Sequence, residues 1–231
     1  MSEPFDNPPT SIVIGGVDVP IQTDYRTWLR FESIVGKTDV DAAMKSEQII
    51  RLLFPDIDAL SQASGKEIVD GITWFYNGGD QRMNLYLKRE QAKLEREAQE
   101  CKEKGLPYKK AAAPYDYDFD SRLIYSAFLQ QYNIDLKSDE YLHWWKFKDL
   151  FSGLDESTKF EQVVKVRTMK LTKDMSDGQK KYYKRLKEIY ALPIPQQEED
   201  RLTSIQEALL AGDTKALMKL ITGGDAGAEG K

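Results

Sequence analysis

Residues 140–154 read Glu-Tyr-Leu-His-Trp-Trp-Lys-Phe-Lys-Asp-Leu-Phe-Ser-Gly-Leu. Tyr141, Trp144, Trp145, Phe147, Leu150, Phe151 and Leu154 recur at helical spacing but cover far more than one narrow stripe. A helix of this kind has to be packed on more than one side. Downstream, residues 160–169 predict a second helix and residues 176–192 a third, which Pro193 and Pro195 stop. Residues 200–221 read as two short helices broken at Gly212 and Asp213, and residues 223–231 as a disordered tail of small residues.

Upstream, residues 119–132 predict a helix capped by Asp118 or Asp120. Before it, eleven of the seventeen residues in 88–104 are charged, with both signs mixed and few apolar positions. That composition fits a solvated helix or a mobile excursion, and Gly105, Pro107 and Pro114 complete a linker-like patch. At the start, Ile12-Val13-Ile14 and Val17-Asp18-Val19 flank Gly15-Gly16, the signature of a hairpin whose second strand Pro20 confines to an edge. Asp24 is placed to cap a helix from Tyr25 to Gly36. Further helices are predicted over residues 46–54, stopped by Pro55, and over residues 66–77, stopped by Gly78-Gly79. Residues 57–63 read as a short turn or helix.

The fold class is therefore mainly α, a multi-helix bundle with a short N-terminal β-hairpin, with two helical lobes joined by a charged segment as its expected organisation. The divisions expected are 1–79 for the hairpin and first lobe, 80–114 for the charged helix or linker, 115–195 for the tryptophan-rich lobe, 196–222 for the short helices and 223–231 for the tail.

The chain has 231 residues, 41% of them hydrophobic and 11% aromatic, enough for a sizeable core. No run of about 18 apolar residues is present to span a bilayer, and no basic region followed by an apolar stretch marks a secretory signal, so a cytoplasmic protein without membrane partners is expected. One cysteine, Cys101, permits no internal disulfide, and one histidine, His143, permits no multi-histidine metal cluster. Asp116, Asp118 and Asp120 have the opening spacing of a calcium loop, but Ser121 stands where its glycine belongs and Ala127 where its bidentate glutamate belongs. Helix capping explains the aspartates without a metal. His143 has no nucleophile or orienting partner nearby in sequence and reads as a packed or interface residue. Cys101 sits on the least apolar segment and lacks the signature of a nucleophile. No phosphate loop, dinucleotide fingerprint or hydrolase elbow occurs, so neither enzymatic activity nor a cofactor, metal or catalytic residue is expected.

Residues 165–190 hold nine basic residues against three acidic ones, a local +6 in a chain of net charge −5. Tyr182 and Tyr183 lie among these bases, an interleaving that nucleic-acid surfaces also use. A solvated face complementary to an acidic protein accounts for the pattern more simply, and an acidic body with a basic lobe also allows self-association.

Several runs resemble a family of tailed-bacteriophage proteins, found mainly in long-tailed phages of Gram-positive bacteria and encoded beside the tape-measure gene. They are Tyr117-Asp118-Phe119, Ile124-Tyr125-Ser126-Ala127-Phe128-Leu129, Tyr132-Asn133-Ile134-Asp135-Leu136, Leu142-His143-Trp144-Trp145-Lys146-Phe147, Thr158-Lys159-Phe160 and Lys187-Glu188-Ile189-Tyr190-Ala191-Leu192. Looser agreement lies at Thr23-Asp24-Tyr25-Arg26 and Trp74-Phe75-Tyr76-Asn77-Gly78-Gly79, so the likeness extends over about residues 12–195. The resemblance implies a tail-assembly chaperone that binds the tape-measure protein in the host cytoplasm, recruits tail-tube subunits and is absent from the mature virion. It brings no catalytic residues. Partner binding is expected at Trp144, Trp145, Lys180, Lys181, Tyr183 and Lys184, with core packing the heavier duty of the two tryptophans. Two rival readings are a structural component of the tail or connector and a nucleic-acid-binding regulator using residues 165–187.

Overall fold

The computed structural model describes residues 7–36, 41–104 and 113–193. Among them, a two-stranded antiparallel hairpin precedes eight α-helices. Strand β1 (Ser11–Ile14) pairs with β2 (Val17–Pro20), Ile12 opposite Val19 and Ile14 opposite Val17. Gly15 and Gly16 take φ of +56° and +81°, the left-handed pair that a two-residue hairpin turn demands. Alternation sorts β1, with Ile12 and Ile14 buried and Val13 facing solvent; on β2 Val19 is buried on that same face, while Val17, next to the turn, is exposed.

Helices α1 (Tyr25–Gly36), α2 (Ala42–Leu53) and α3 (Gly65–Tyr76) follow, with a 3-10 turn at Asp58–Leu60. The hairpin lies on α3 at Gly71, where a Cβ would stand 3.1 Å from Ile12 Cδ1 and 3.2 Å from Ile14 Cγ1. A Cβ here would press on both isoleucines, so glycine suits the close approach of helix and strand. Asp24 caps α1 as expected, its Oδ1 accepting from the Arg26 backbone N–H at 2.9 Å. α2 starts four residues before the position that periodicity suggests, because the Asp41 carboxylate accepts from the Ala43 and Met44 amides. Ser64 and Glu67 form a reciprocal capping box at the start of α3.

Beyond these lie α4 (Gln81–Glu103), α5 (Ser121–Tyr132), α6 (Trp144–Ser152), α7 (Lys159–Thr168) and α8 (Asp177–Ile189). The chain divides into two compact units, Met1–Leu85 with Pro114–Tyr190, and Tyr86–Ala113 with Ala191–Lys231. In the second unit the described part of α4 exposes Tyr86 and Leu94, and Lys104, just beyond its end, pairs with Glu100 at 3.3 Å in solvent. The two short helices and tail expected over residues 196–231 lie outside the described residues, as does most of the linker patch.

Within the first unit, residues from both sides of the charged segment share one core. Trp28 of α1 stacks on Phe75 of α3 at 5.1 Å and on Trp144 of α6 at 5.9 Å, and Trp144 continues through Phe147 to Phe128 of α5. Backbone bonds stitch the two sequence halves together: Tyr25 N–H donates to Leu142 O at 3.0 Å and Trp144 N–H to Thr23 O at 2.7 Å. Arg26 grips the Asp24 carboxylate and also donates to Ser138 O and Glu140 O.

Candidate functional site

The run His143-Trp144-Trp145-Lys146-Phe147-Lys148 is organised around the end of α3. α6 begins at Trp144, not at residue 140, because His143 is its N-cap: Nδ1 accepts the Trp145 amide at 3.0 Å. An accepting Nδ1 puts the proton on Nε2, which donates to Pro9 O at 3.0 Å. Burial pulls the His143 pKa below its ordinary value; the bond to Pro9 acts against that pull, and Lys146 adds to it. Both ring nitrogens are hydrogen-bonded to backbone groups. Tyr141, expected on the helix, precedes it and is exposed, its hydroxyl sharing a 2.6 Å bond with Thr23 Oγ1.

A helix C-terminus leaves its last carbonyls without intrahelical partners. Trp144 Nε1 donates to Tyr76 O at 2.9 Å, Trp145 Nε1 to Phe75 O at 2.8 Å, and Lys148 Nζ to Tyr76 O at 2.8 Å. Two indoles and one ammonium thus finish α3, and the positive charge of Lys148 complements the negative end of its dipole. Trp144 is fully buried and presents no surface to a partner in this structure, whereas Trp145 is half-buried with its edge toward Trp74. The adjacent tryptophans are accounted for by architecture.

Lys148 also faces a half-buried polar cluster. The Tyr76 hydroxyl donates to Glu32 Oε1. Burial raises the Glu32 pKa, with Lys148 opposing, and burial lowers that of Lys148, with Glu32 opposing. A cavity of about 290 Å³ opens beside Lys148, walled by Tyr115, Tyr117, Phe151, Phe160 and Val164. Burial raises the pKa of both tyrosines, so they stand as neutral phenols able to donate hydrogen bonds.

The aspartate cluster has a different use from the one its spacing suggests. Asp116 Oδ1 accepts from the amides of Asp118 and Phe119, forming the turn before α5. Asp120 stands at the N-cap position of α5 without a side-chain capping bond. Its carboxylate, 1% exposed, instead takes both Arg167 guanidinium nitrogens, at 2.6 and 2.8 Å. Arg167 further donates to Tyr190 O at 2.5 Å and Pro114 O at 3.2 Å, and Lys187 Nζ donates to Arg167 O at 2.6 Å. One buried arginine ties α7 to the start of α5, to Pro114 and to the end of α8. Nothing in the sequence around Arg167 distinguishes it from its basic neighbours. Among the described residues no group of three or more acidic, histidine or cysteine side chains is placed to hold a metal.

α8 carries the basic surface. Ser176 and Gln179 form a capping box at its start, and none of its residues is buried. Lys180 is half-buried with Nζ on Lys173 O at 3.3 Å, and Tyr183 is half-buried, while Lys181 and Lys184 are exposed. The structure thus brings Lys180, Lys181, Tyr183 and Lys184 onto one helix, and it places Trp144 and Trp145 against α3 instead. Tyr182 and Ile189, each 60% exposed, are more prominent than Tyr183. Helical spacing was the available signal: Tyr182, Arg185 and Ile189 recur at i, i+3 and i+7.

A mainly helical protein with a capped aromatic core and a basic, unburied helix is the class defined so far. A family model described as Bacteriophage Gp15 protein matches residues 5–192, and the chain belongs to that family. No curated protein and no solved structure matches it.

Proposed function

We propose that this phage protein is a tail-assembly chaperone: it binds the tape-measure protein, keeps its helices soluble in the host cytoplasm, assists recruitment of tail-tube subunits and leaves before the virion is complete. Membership of the phage family supports the setting. The sequence resemblance to proteins encoded beside the tape-measure gene supports the partner. The structural observation that carries the reading is α8, an amphipathic helix with no buried residue and an excess of positive charge. A protein that holds other helices soluble needs such a surface and no reactive group. Consistent with a non-enzymatic role, the single histidine is occupied as a helix cap.

The test is co-expression with the tape-measure protein, scoring how much of it stays soluble and co-purifies, while purified virions are probed for this chain. A soluble complex together with virions lacking the chain is the expected result. Failure to form a complex, with stoichiometric copies in the virion, would replace the chaperone by a structural tail or connector protein.

A further inference from the structure

We infer that the outward line of α8 docks an acidic amphipathic helix whose apolar residues recur every seven positions. This deepens the chaperone reading and rests on it only for the source of that helix, the tape-measure protein; the recognition chemistry follows from α8 itself.

Lys180, Tyr183, Leu186, Lys187 and Tyr190 are the half-buried residues of the segment, and the side chains on the opposite side of the helix are exposed. On that side Tyr182 and Ile189 stand seven residues apart, about 10.5 Å along the axis, with Arg185 between them. Lys181 and Lys184 lie to one side of the line, on a stripe that also carries Asp177 and Glu188, so with Arg185 the exposed face holds three bases against two acids. No carboxylate among the described residues forms an ion pair with Lys181, Lys184 or Arg185. Tyr182 makes an edge-to-face contact with Tyr183 at 5.3 Å.

The spacing selects the partner's conformation. A helix laid alongside α8 repeats its face every seven residues and meets both apolar landmarks from one side. An extended peptide advances about 3.3 Å per residue and would need three residues to cover the same distance, which turns the second side chain to its opposite face. The excess of base over acid in residues 165–190 calls for acids on the partner's flanks, the charge pairing that sets partner choice between helices. Single-stranded nucleic acid fits less well, because Ile189 offers no stacking surface where a second base would lie.

The probe is a fluorescein-labelled synthetic helix of three heptads with leucine at the core positions and glutamate on the flanks, titrated with the full-length chain by anisotropy. A matched helix with lysine flanks is the control. Binding of the glutamate helix alone is expected, weakened about tenfold or more by Lys181→Glu with Arg185→Glu and, separately, by Tyr182→Ser with Ile189→Ser. All four positions are exposed, and circular dichroism verifies that the variants remain folded. Equal binding of the lysine helix, indifference to Tyr182→Ser with Ile189→Ser, or displacement by a single-stranded oligonucleotide at comparable concentration would each overturn the inference. So would a self-associated chain that the charge reversals dissociate. Tape-measure solubility is scored with the same variants. Peptide binding without solubilisation sinks the chaperone reading and leaves the surface standing; solubilisation unaffected by the variants sinks the surface and leaves the chaperone.

Discussion

α6 and α8 are both short, capped helices that carry adjacent aromatic residues among lysines, and they end in opposite environments. In α6 the pair is Trp144-Trp145; Trp144, Phe147 and Phe151 are buried, and both indole N–H groups reach the carbonyls that end α3. In α8 the pair is Tyr182-Tyr183, no residue is buried, and Tyr182 stands 60% exposed. The difference lies in what each aromatic meets. An indole buried with its N–H on a helix-terminal carbonyl satisfies both its apolar body and its polar atom. A tyrosine on a helix with no buried residue keeps its outer edge in water.

The strongest way to break the comparison is at Trp144. Trp144→Ala empties the centre of the ring stack and removes a donor to Tyr76 O, and a loss of about 3–5 kcal/mol is expected from the urea midpoint. A loss below about 1 kcal/mol would mean that the stack is not the keystone described above.

Arg167→Met tests the other buried tie. It leaves the Asp120 carboxylate, 1% exposed, without its guanidinium, and about 3 kcal/mol of destabilisation is expected. Adding Asp120→Asn to that variant removes the stranded charge and recovers part of the loss. A double variant no more stable than the single one would show that the two groups are not coupled.

A smaller effect is read in the pH dependence of stability. The unfolded chain protonates His143 near its ordinary value of about 6.5, whereas the buried folded ring takes up its proton only at lower pH. The unfolded state therefore binds more protons across that interval. The His143 contribution is complete above about 6.5 and declines as pH falls toward the folded value. His143→Asn keeps a capping side chain but cannot titrate, so this component of the slope should vanish from thermal melts taken between pH 5 and pH 7. An unchanged slope would exclude His143 as its source.

The least effect on folding is expected on α8. Tyr182→Ser with Ile189→Ser should shift stability by no more than about 0.5 kcal/mol, in contrast to Trp144→Ala. A loss several times larger would place these side chains in the protein's own core and erase the distinction between the two helices.

Much of the local structure was legible beforehand because its causes are local. Gly15-Gly16 turns the hairpin, Asp24 caps α1, Pro55 ends the helix before it, and Gly78-Gly79 ends α3, each through backbone conformations that depend on near neighbours. Misreadings arose where the nearest plausible cause was not the operative one. Asp41 started α2 upstream of its apolar pattern, and His143 shortened α6 by capping it where tyrosine and leucine had seemed to continue the period. Asp120 read as a cap and became the buried partner of an arginine 47 residues away.

On its own, the sequence determined a mainly helical chain with an N-terminal hairpin, a strongly basic stretch near residue 180 and a family likeness concentrated around the paired tryptophans. Spacing, caps and turn residues operate over a few bonds, and their signals survive without a fold. Tertiary structure alone decided that the sequences on either side of the charged segment share one core, that the tryptophans complete α3, and that Tyr182 rather than Tyr183 faces outward. Those outcomes depend on desolvation, and whether a group loses its water depends on what distant segment comes to lie opposite it.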